Sequence, residues 1–368
     1  MVDGKVDLSD IDPEKVEGLV ETIFDSVIIS NAVPVLATTL TSKYLPDEYS
    51  GIFTKEELQD VDWKNEFSPL LTAATVLIKS GLLESEDPID TLTSMEDAEF
   101  AELGEYLSQS TVLTNNLNEV LDVLMSSLSF ENITFEGLDP EKGEIWNETE
   151  IVSLFKAVKV LLNSGIVGAD DPMDSIKHLT DKEIDNLATY LSQSKFITKN
   201  LNVIVEIALE NIDLGGITIE GLDEEKNEYW DKLELNSLFG ALKTIVDTGL
   251  ITAEDPVASF KEISDADIDL LSYNLANSKF FTKNLNEVIK YAIKNMADDI
   301  ALEGLDSKQG EAWTELEIKS IFKGVKAIVD AGLIGSDDIM TSFKEMKDET
   351  IEDLAVNLSS SVFLKKNI

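Results

Sequence analysis

Arginine and cysteine are absent from the 368 residues, and histidine occurs once, at His178. All 29 basic residues are therefore lysines, set against 72 acids for a formal charge of −43. Each absence removes a class of function. Nucleic-acid binding needs a basic face, and base-edge readout leans on arginine. An anionic membrane surface would repel the chain for the same reason. Without cysteine there is no thiol catalysis, disulfide, iron–sulfur cluster or thiolate zinc site. One imidazole excludes multi-histidine metal centres. The most apolar early stretch, Leu19 to Leu40, is broken by Glu21, Asp25 and Pro34 and does not read as a membrane span. The acidic start Met1-Val-Asp-Gly-Lys-Val-Asp-Leu does not read as a signal peptide, so export would imply a signal removed or replaced in this chain.

What is present is enough to fold: 43% of the residues are apolar, so the charge does not imply global disorder. The dominant feature is an internal repeat. The tryptophans Trp63, Trp146, Trp230 and Trp313 recur at a nearly constant interval of roughly 84 residues, the mark of a repeat architecture. The same period carries Gly81, Gly165, Gly249 and Gly332, then Glu66, Glu150, Glu234 and Glu317. It also carries Asp87, Asp171, Asp255 and Asp338, and the serines Ser26, Ser110, Ser194, Ser278 and Ser361. These columns divide the chain into a partial unit over 1–62, whole units over 63–145, 146–229 and 230–312, and a partial unit over 313–368. Beginning and ending in mid-unit predicts either an excerpt of a longer array or ends that dock head-to-tail on other copies.

Within a unit the periodicity predicts about four helices, two of them long. Ile151, Leu154, Phe155, Val158, Leu161 and Leu162 form one apolar stripe at helical spacing, closed by Gly165. Asp171-Pro172, like Asp87-Pro88 and Asp255-Pro256, suits the start of a short helix. Ile184, Leu187 and Leu191 mark a third helix, and Leu113, Leu117, Val120, Leu121, Leu124 and Leu128 a fourth. The connectors Ile133–Asp139, Ile217–Asp223 and Ile300–Asp306 begin with alternating apolar residues and predict a short extended strand. The fold class is thus all-α with short extended connectors: a tandem array of ~84-residue units, elongated and solenoid-like or bundles in series. Each tryptophan falls where one unit meets the next, which makes the four rings the expected structural junctions.

Three patterns invite chemistry. Asp223, Glu225, Asn227, Asp231 and Glu234 place oxygen side chains at positions 1, 3, 5, 9 and 12 of a twelve-residue window, which resembles the ligand spacing of a calcium loop of the EF-hand type. Glu228 stands where that turn needs glycine; the second unit keeps only Asp139, Glu141 and Glu150 of the five positions, and the third copy has Lys308 at position 3. The alternative is a turn aspartate followed by a glutamate that favours the helix N-terminus. The recurring serine, followed by Lys195 and Lys279, suggests a nucleophile. However, Thr111 and Val362 replace the lysine in other copies, so a helix break or cap explains the column better. His178 has no counterpart in other units, and no carboxylate pair is singled out by an apolar setting.

The leading expectation is a non-enzymatic repeat protein with no required cofactor: a spacer, stalk, scaffold or assembly subunit that binds protein partners or itself. The composition suits a cell-surface, extracellular or virion protein of a low-GC bacterium or its phage, with a cytoplasmic setting as the alternative. A calcium-responsive adhesion module is the second expectation, and a hydrolase built on a carboxylate pair the third. The charge is spread over the whole chain. Residues 1–62 carry −10, the windows opening at the first three tryptophans −14, −9 and −7, and the stretch 313–368 carries −3. That distribution is a self-repelling coat rather than one acidic tail.

Overall fold

A computed structural model describes residues 61–80, 88–127, 135–165, 172–210, 219–250, 256–296, 302–333 and 344–367. The partial unit expected over 1–62 lies outside them except for its last two residues, as do Ser26, Gly81, Leu128 and the aspartates of the Asp-Pro pairs. The described chain is all-helical. Its α-helices are α1 (Trp63–Lys79), α2 (Pro88–Ser94), α3 (Asp97–Gln109), α4 (Thr111–Ser127), α5 (Glu148–Asn163), α6 (Pro172–His178), α7 (Asp181–Gln193) and α8 (Lys195–Glu210). They continue with α9 (Lys232–Asp247), α10 (Pro256–Glu262), α11 (Asp265–Asn277), α12 (Lys279–Met296), α13 (Glu315–Asp330), α14 (Asp348–Ser360) and α15 (Val362–Asn367). Short 3-10 turns over Pro140–Lys142, Glu224–Lys226 and Ser307–Gln309 precede α5, α9 and α13.

The helix boundaries follow local chemistry. α2, α6 and α10 each open on a proline, whose fixed φ and missing N–H suit the first helical position. Gly165, Gly249 and Gly332 adopt φ of +69°, +69° and +68° just past α5, α9 and α13, a left-handed stop that a Cβ would oppose. Ser264 caps α11 reciprocally with Asp267, and Thr314 caps α13 by accepting from the Glu317 amide.

Two compact units emerge, one of residues 1–163 with 193–203, the other of 164–192 with 204–368. In the first, α3 packs on α1 and on α5, and α2 packs on α5. Its core holds Ala73, Val76 and Leu103, with Phe100 stacked on Phe155 at 6.0 Å. In the second, α11 lies between α9 and α13, α13 also carries α14, and the short helices α6 and α10 rest on α9 and α13. Ala241, Leu271, Leu275, Leu305, Trp313, Ile318 and Phe363 form its core.

The connectors, described from residues 135, 219 and 302 on with their first two residues outside the description, correct one expectation there. Among the described residues there is no strand. The backbone at residue 136 and its equivalents is satisfied by side-chain amides instead of a ladder. Asn200 accepts from the Glu136 amide (2.7 Å) and donates to its carbonyl (2.9 Å). Asn284 does the same at Glu220, and Asn367 at Glu303. Asn118 and Asn286 clamp Leu138 and Leu305 in the same two-bond way. A carboxamide presents one donor and one acceptor side by side, as a peptide group does, so it replaces a neighbouring strand.

Candidate functional site

The columns that drew attention converge on one junction, present at four positions among the described residues. In each, a buried glutamate in the first turn of a long helix reaches a serine 44 residues further on, at the start of another helix. Glu150 accepts from the Ser194 hydroxyl at 2.5 Å and from the amides of Lys195 and Phe196 at 2.7 and 3.0 Å. Glu66 takes Ser110, Thr111 and Val112 in the same way. Glu234 takes Ser278, Lys279 and Phe280, and Glu317 takes Ser361, Val362 and Phe363. The serine oxygen in turn accepts the amide three residues on, at Leu113, Ile197, Phe281 and Leu364.

The physics is helix capping at long range. The first amides of a helix have no partner within it, and the helix dipole favours a negative charge there. The glutamate supplies both from a distant turn of chain, while the serine caps its own helix. Ser110, Ser194, Ser278 and Ser361 are therefore each bound to a carboxylate acceptor at a helix start. At Glu234, burial pushes the carboxyl above its ordinary range, opposed by the Ser278 hydroxyl and the Lys279 and Phe280 amides. A carboxyl harder to ionise in the folded chain adds stability that is whole below the ordinary carboxyl range and is lost as pH rises through its raised folded value. Melting of the wild type and Glu234→Gln is expected to show a wild-type advantage that grows between pH 7 and about 4.5. An advantage that shrinks on acidification would reverse the sign.

The tryptophans lie beside these junctions, all at most 8% exposed. The Trp146 indole N–H donates to Asn118 Oδ1 at 2.9 Å, and its ring sits 5.3 Å from Phe196. Trp313 donates to Asn286 Oδ1 at 3.1 Å and meets Phe363 at 5.5 Å. Trp230 meets Phe280 at 5.5 Å, and Trp63 packs with Val112. Trp146 and Trp313 thus each join the fourth helix of one sequence unit to the first residues of the fourth helix of the next.

The five oxygens of the loop-like window do not turn toward one point. Asp223 caps the 3-10 turn by accepting from the Glu225 amide (3.0 Å), and its other oxygen pairs with Lys226 at 2.7 Å, which holds its carboxyl below the usual range. Glu225 is exposed. Asp231 caps α9 through the Glu234 amide (2.8 Å), and Glu234 itself points to Ser278. Glu228 accepts from the Asp223 amide (3.1 Å) and pairs with Lys283 (2.9 Å). Burial pushes the Glu228 carboxyl up, but those two partners outweigh it and hold it low. Among the described residues no group of three or more His, Asp or Glu is placed to hold a metal ion.

Asn227 occupies a left-handed position at φ +60°, where Gly143 and Gly310 stand at +79° and +78° in the sister turns. Asparagine tolerates that conformation; most residues lose about 1–2 kcal/mol in it. Asn227→Ala is expected to lower stability by about 1 kcal/mol, and Asn227→Gly to leave it unchanged or slightly raised. Urea unfolding with and without calcium checks both, since a required ligand oxygen would make the glycine variant the worse under calcium.

A lysine completes each connector. Lys199 donates to the Gly137 carbonyl at 2.9 Å and pairs with Glu144 at 2.7 Å and Glu136 at 2.8 Å. Burial would lower the Lys199 pKa, but its two glutamates raise it. Lys283 and Lys366 repeat the arrangement with Glu228 and Glu311. His178 is exposed at the end of α6, its Nδ1 2.7 Å from the Asp174 carbonyl.

The sequence pattern does not reveal these asparagine and lysine roles, although Asn118, Asn202 and Asn286 recur at the period of the repeat. Among the described residues no helix is long and apolar enough to cross a membrane. No family model, curated protein or solved structure matches the chain.

Proposed function

We propose that the chain is a non-enzymatic scaffold or spacer, a solenoid-like array of ~84-residue helical units whose outer surface engages protein partners. The observation that carries this reading is the fourfold recurrence of the glutamate–serine junction. The groups that would otherwise suggest catalysis are committed to closing helix ends, and they do so alike at all four described junctions. Chemistry at one site would require one unit to depart from the others. In a quasi-one-dimensional array each unit needs only its neighbours for burial, so length is gained by repetition. The lysine-only, strongly acidic surface keeps such an array soluble and turns away nucleic acid and anionic lipid. A cell-surface or virion setting fits that role.

Small-angle X-ray scattering of the full chain in calcium and in chelator tests the proposal. A compact chain of this length has a radius of gyration of about 21 Å. An elongated array is expected well above that value, with the same profile and melting midpoint in both solutions. A radius at the compact value would contradict the array, and a profile that changes with calcium would favour the cation-responsive reading.

A further inference from the structure

In two of the repeats a lysine reaches back to the aspartate that opens an earlier helix. Lys156 of α5 pairs with Asp97 of α3 at 3.5 Å, and Lys323 of α13 with Asp265 of α11 at 3.6 Å. Over α13 this lysine stands in a groove of about 350 Å³, lined also by Asp265, Lys326, Asp353, Val356 and Asn357. The corresponding face of α9 is built differently. Gly240 replaces the lysine, and Asp181 of α7, the counterpart of Asp97 and Asp265, is exposed and has no ion pair among the described residues. Lys243 does not serve it, because its Nζ donates to the Lys177 carbonyl at 2.6 Å and pairs with Asp247 at 2.9 Å.

The wall contributed by α11 also differs. Leu270 and Tyr273 are 52% and 48% exposed, at positions where α3 has Glu102 and Glu105, α7 has Asn186 and Thr189, and α14 has Asp353 and Val356. Between that wall and α9 lies Asn274, only 7% exposed. Its carboxamide rests on Gly240: a Cβ there would come within 2.7 Å of Nδ2 and 3.2 Å of Oδ1. Among the described residues this carboxamide has no hydrogen-bond partner, whereas the amide of Asn357, its counterpart, donates to the Asp353 carbonyl at 2.9 Å. A polar group so buried is costly unless something bonds to it. Elsewhere in this chain the buried carboxamide has one repeated use. Asn118, Asn200, Asn284 and Asn286 each hold a connector through one backbone N–H and one carbonyl.

We propose that this face of α9 is a docking groove for an extended basic segment of a partner protein. The Asn274 carboxamide takes one peptide group of the segment, as its sisters take the connectors. Leu270 and Tyr273 seat an apolar side chain beside it, and a lysine or arginine of the segment occupies the place at Asp181 that a lysine of the chain fills in the sister faces. The segment is extended because the peptide groups of a helix interior are already bonded within the helix. A formal charge of −43 favours a basic occupant over a second copy of the chain. The inference rests on the scaffold reading, since it names a partner of that scaffold.

The probe is a displayed library of random octapeptides, selected in parallel on the full chain and on its Gly240→Lys variant, which supplies the missing cation from within. Peptides enriched on the wild type are expected to carry Lys or Arg beside an apolar residue and to bind Gly240→Lys at least ten-fold more weakly. The leading peptide, synthesised with a fluorescent label and read by anisotropy, is expected to lose as much on Asn274→Leu and on Leu270→Asn with Tyr273→Thr, which installs the residues of α7. Those variants keep the net charge, so general attraction to an acidic surface does not follow them. Circular dichroism and melting confirm that each variant is folded. No enrichment, enriched peptides without a basic residue, or equal binding to wild type and variants would overturn the proposal. Dimerisation of the chain alone, abolished by Gly240→Lys, would assign the groove to a second copy and overturn the choice of partner. The scattering result is independent: an elongated chain that selects no such peptide keeps the scaffold and loses this groove.

Discussion

Trp313→Ala is expected to lower the unfolding free energy by about 3–5 kcal/mol, the range for deleting a large buried aromatic side chain. The ring is packed among Leu271, Leu275, Leu305, Ile318 and Phe363, drawn from four separate stretches of chain, so no single rearrangement refills the space. Its indole N–H is also one of the two hydrogen bonds that fix Asn286 Oδ1, the other coming from the Leu305 amide. Trp313→Phe separates the contributions. It keeps most of the apolar area and removes the donor, and is expected to lose about 1–2 kcal/mol. Urea unfolding followed by circular dichroism measures both. A loss below about 1 kcal/mol for the alanine variant would mean that the ring does not hold the junction together.

Glu150→Ala is the second large effect, expected at about 3 kcal/mol or more. Truncation strands three donors at once, the Ser194 hydroxyl and the Lys195 and Phe196 amides, and each buried donor left without an acceptor costs about 1–3 kcal/mol. The charge facing the N-terminus of α8 goes with them. Glu150→Gln keeps one acceptor oxygen but turns an N–H₂ group toward a donor, so an intermediate loss is expected. Ser194→Ala removes a single donor and the cap at Ile197, and should cost about 1–2 kcal/mol. A Glu150→Ala variant as stable as wild type would show that the α8 amides find water.

The helices are largely legible in the sequence. Proline at 88, 172 and 256 opens three of them, and glycine at 165, 249 and 332 closes three others, because both residues act through their own backbone. Burial of the tryptophans is legible too, from size and recurrence. The connectors are not. Their apolar alternation reads as a strand, but a strand needs a partner, and here Asn200, Asn284 and Asn367 supply the hydrogen bonds from distant helices. The glutamate column reads as a favourable charge at the start of its own helix. It does lie in that first turn, yet its carboxylate serves a second helix start, at a serine 44 residues away. The signal is present as a constant separation: 66 to 110, 150 to 194, 234 to 278 and 317 to 361. Two columns that keep one spacing through insertions elsewhere are held by contact.

The calcium-like spacing has an equally local origin. Asp223, Asn227 and Asp231 are, in order, the cap of a 3-10 turn, its left-handed exit and the cap of the next helix. Two capping motifs in succession place oxygen side chains about four residues apart whether or not a cation is involved.

Native-state hydrogen exchange of the helix-start amides tests the central claim most directly, that a remote glutamate closes the starts of α4, α8, α12 and α15. First-turn amides ordinarily exchange fast because nothing within the helix accepts from them. The amides of Lys195, Phe196, Lys279, Phe280, Val362 and Phe363 are expected to be protected to the level of neighbouring core amides. Exchange at the rate of an open helix end at these six positions would contradict the junction.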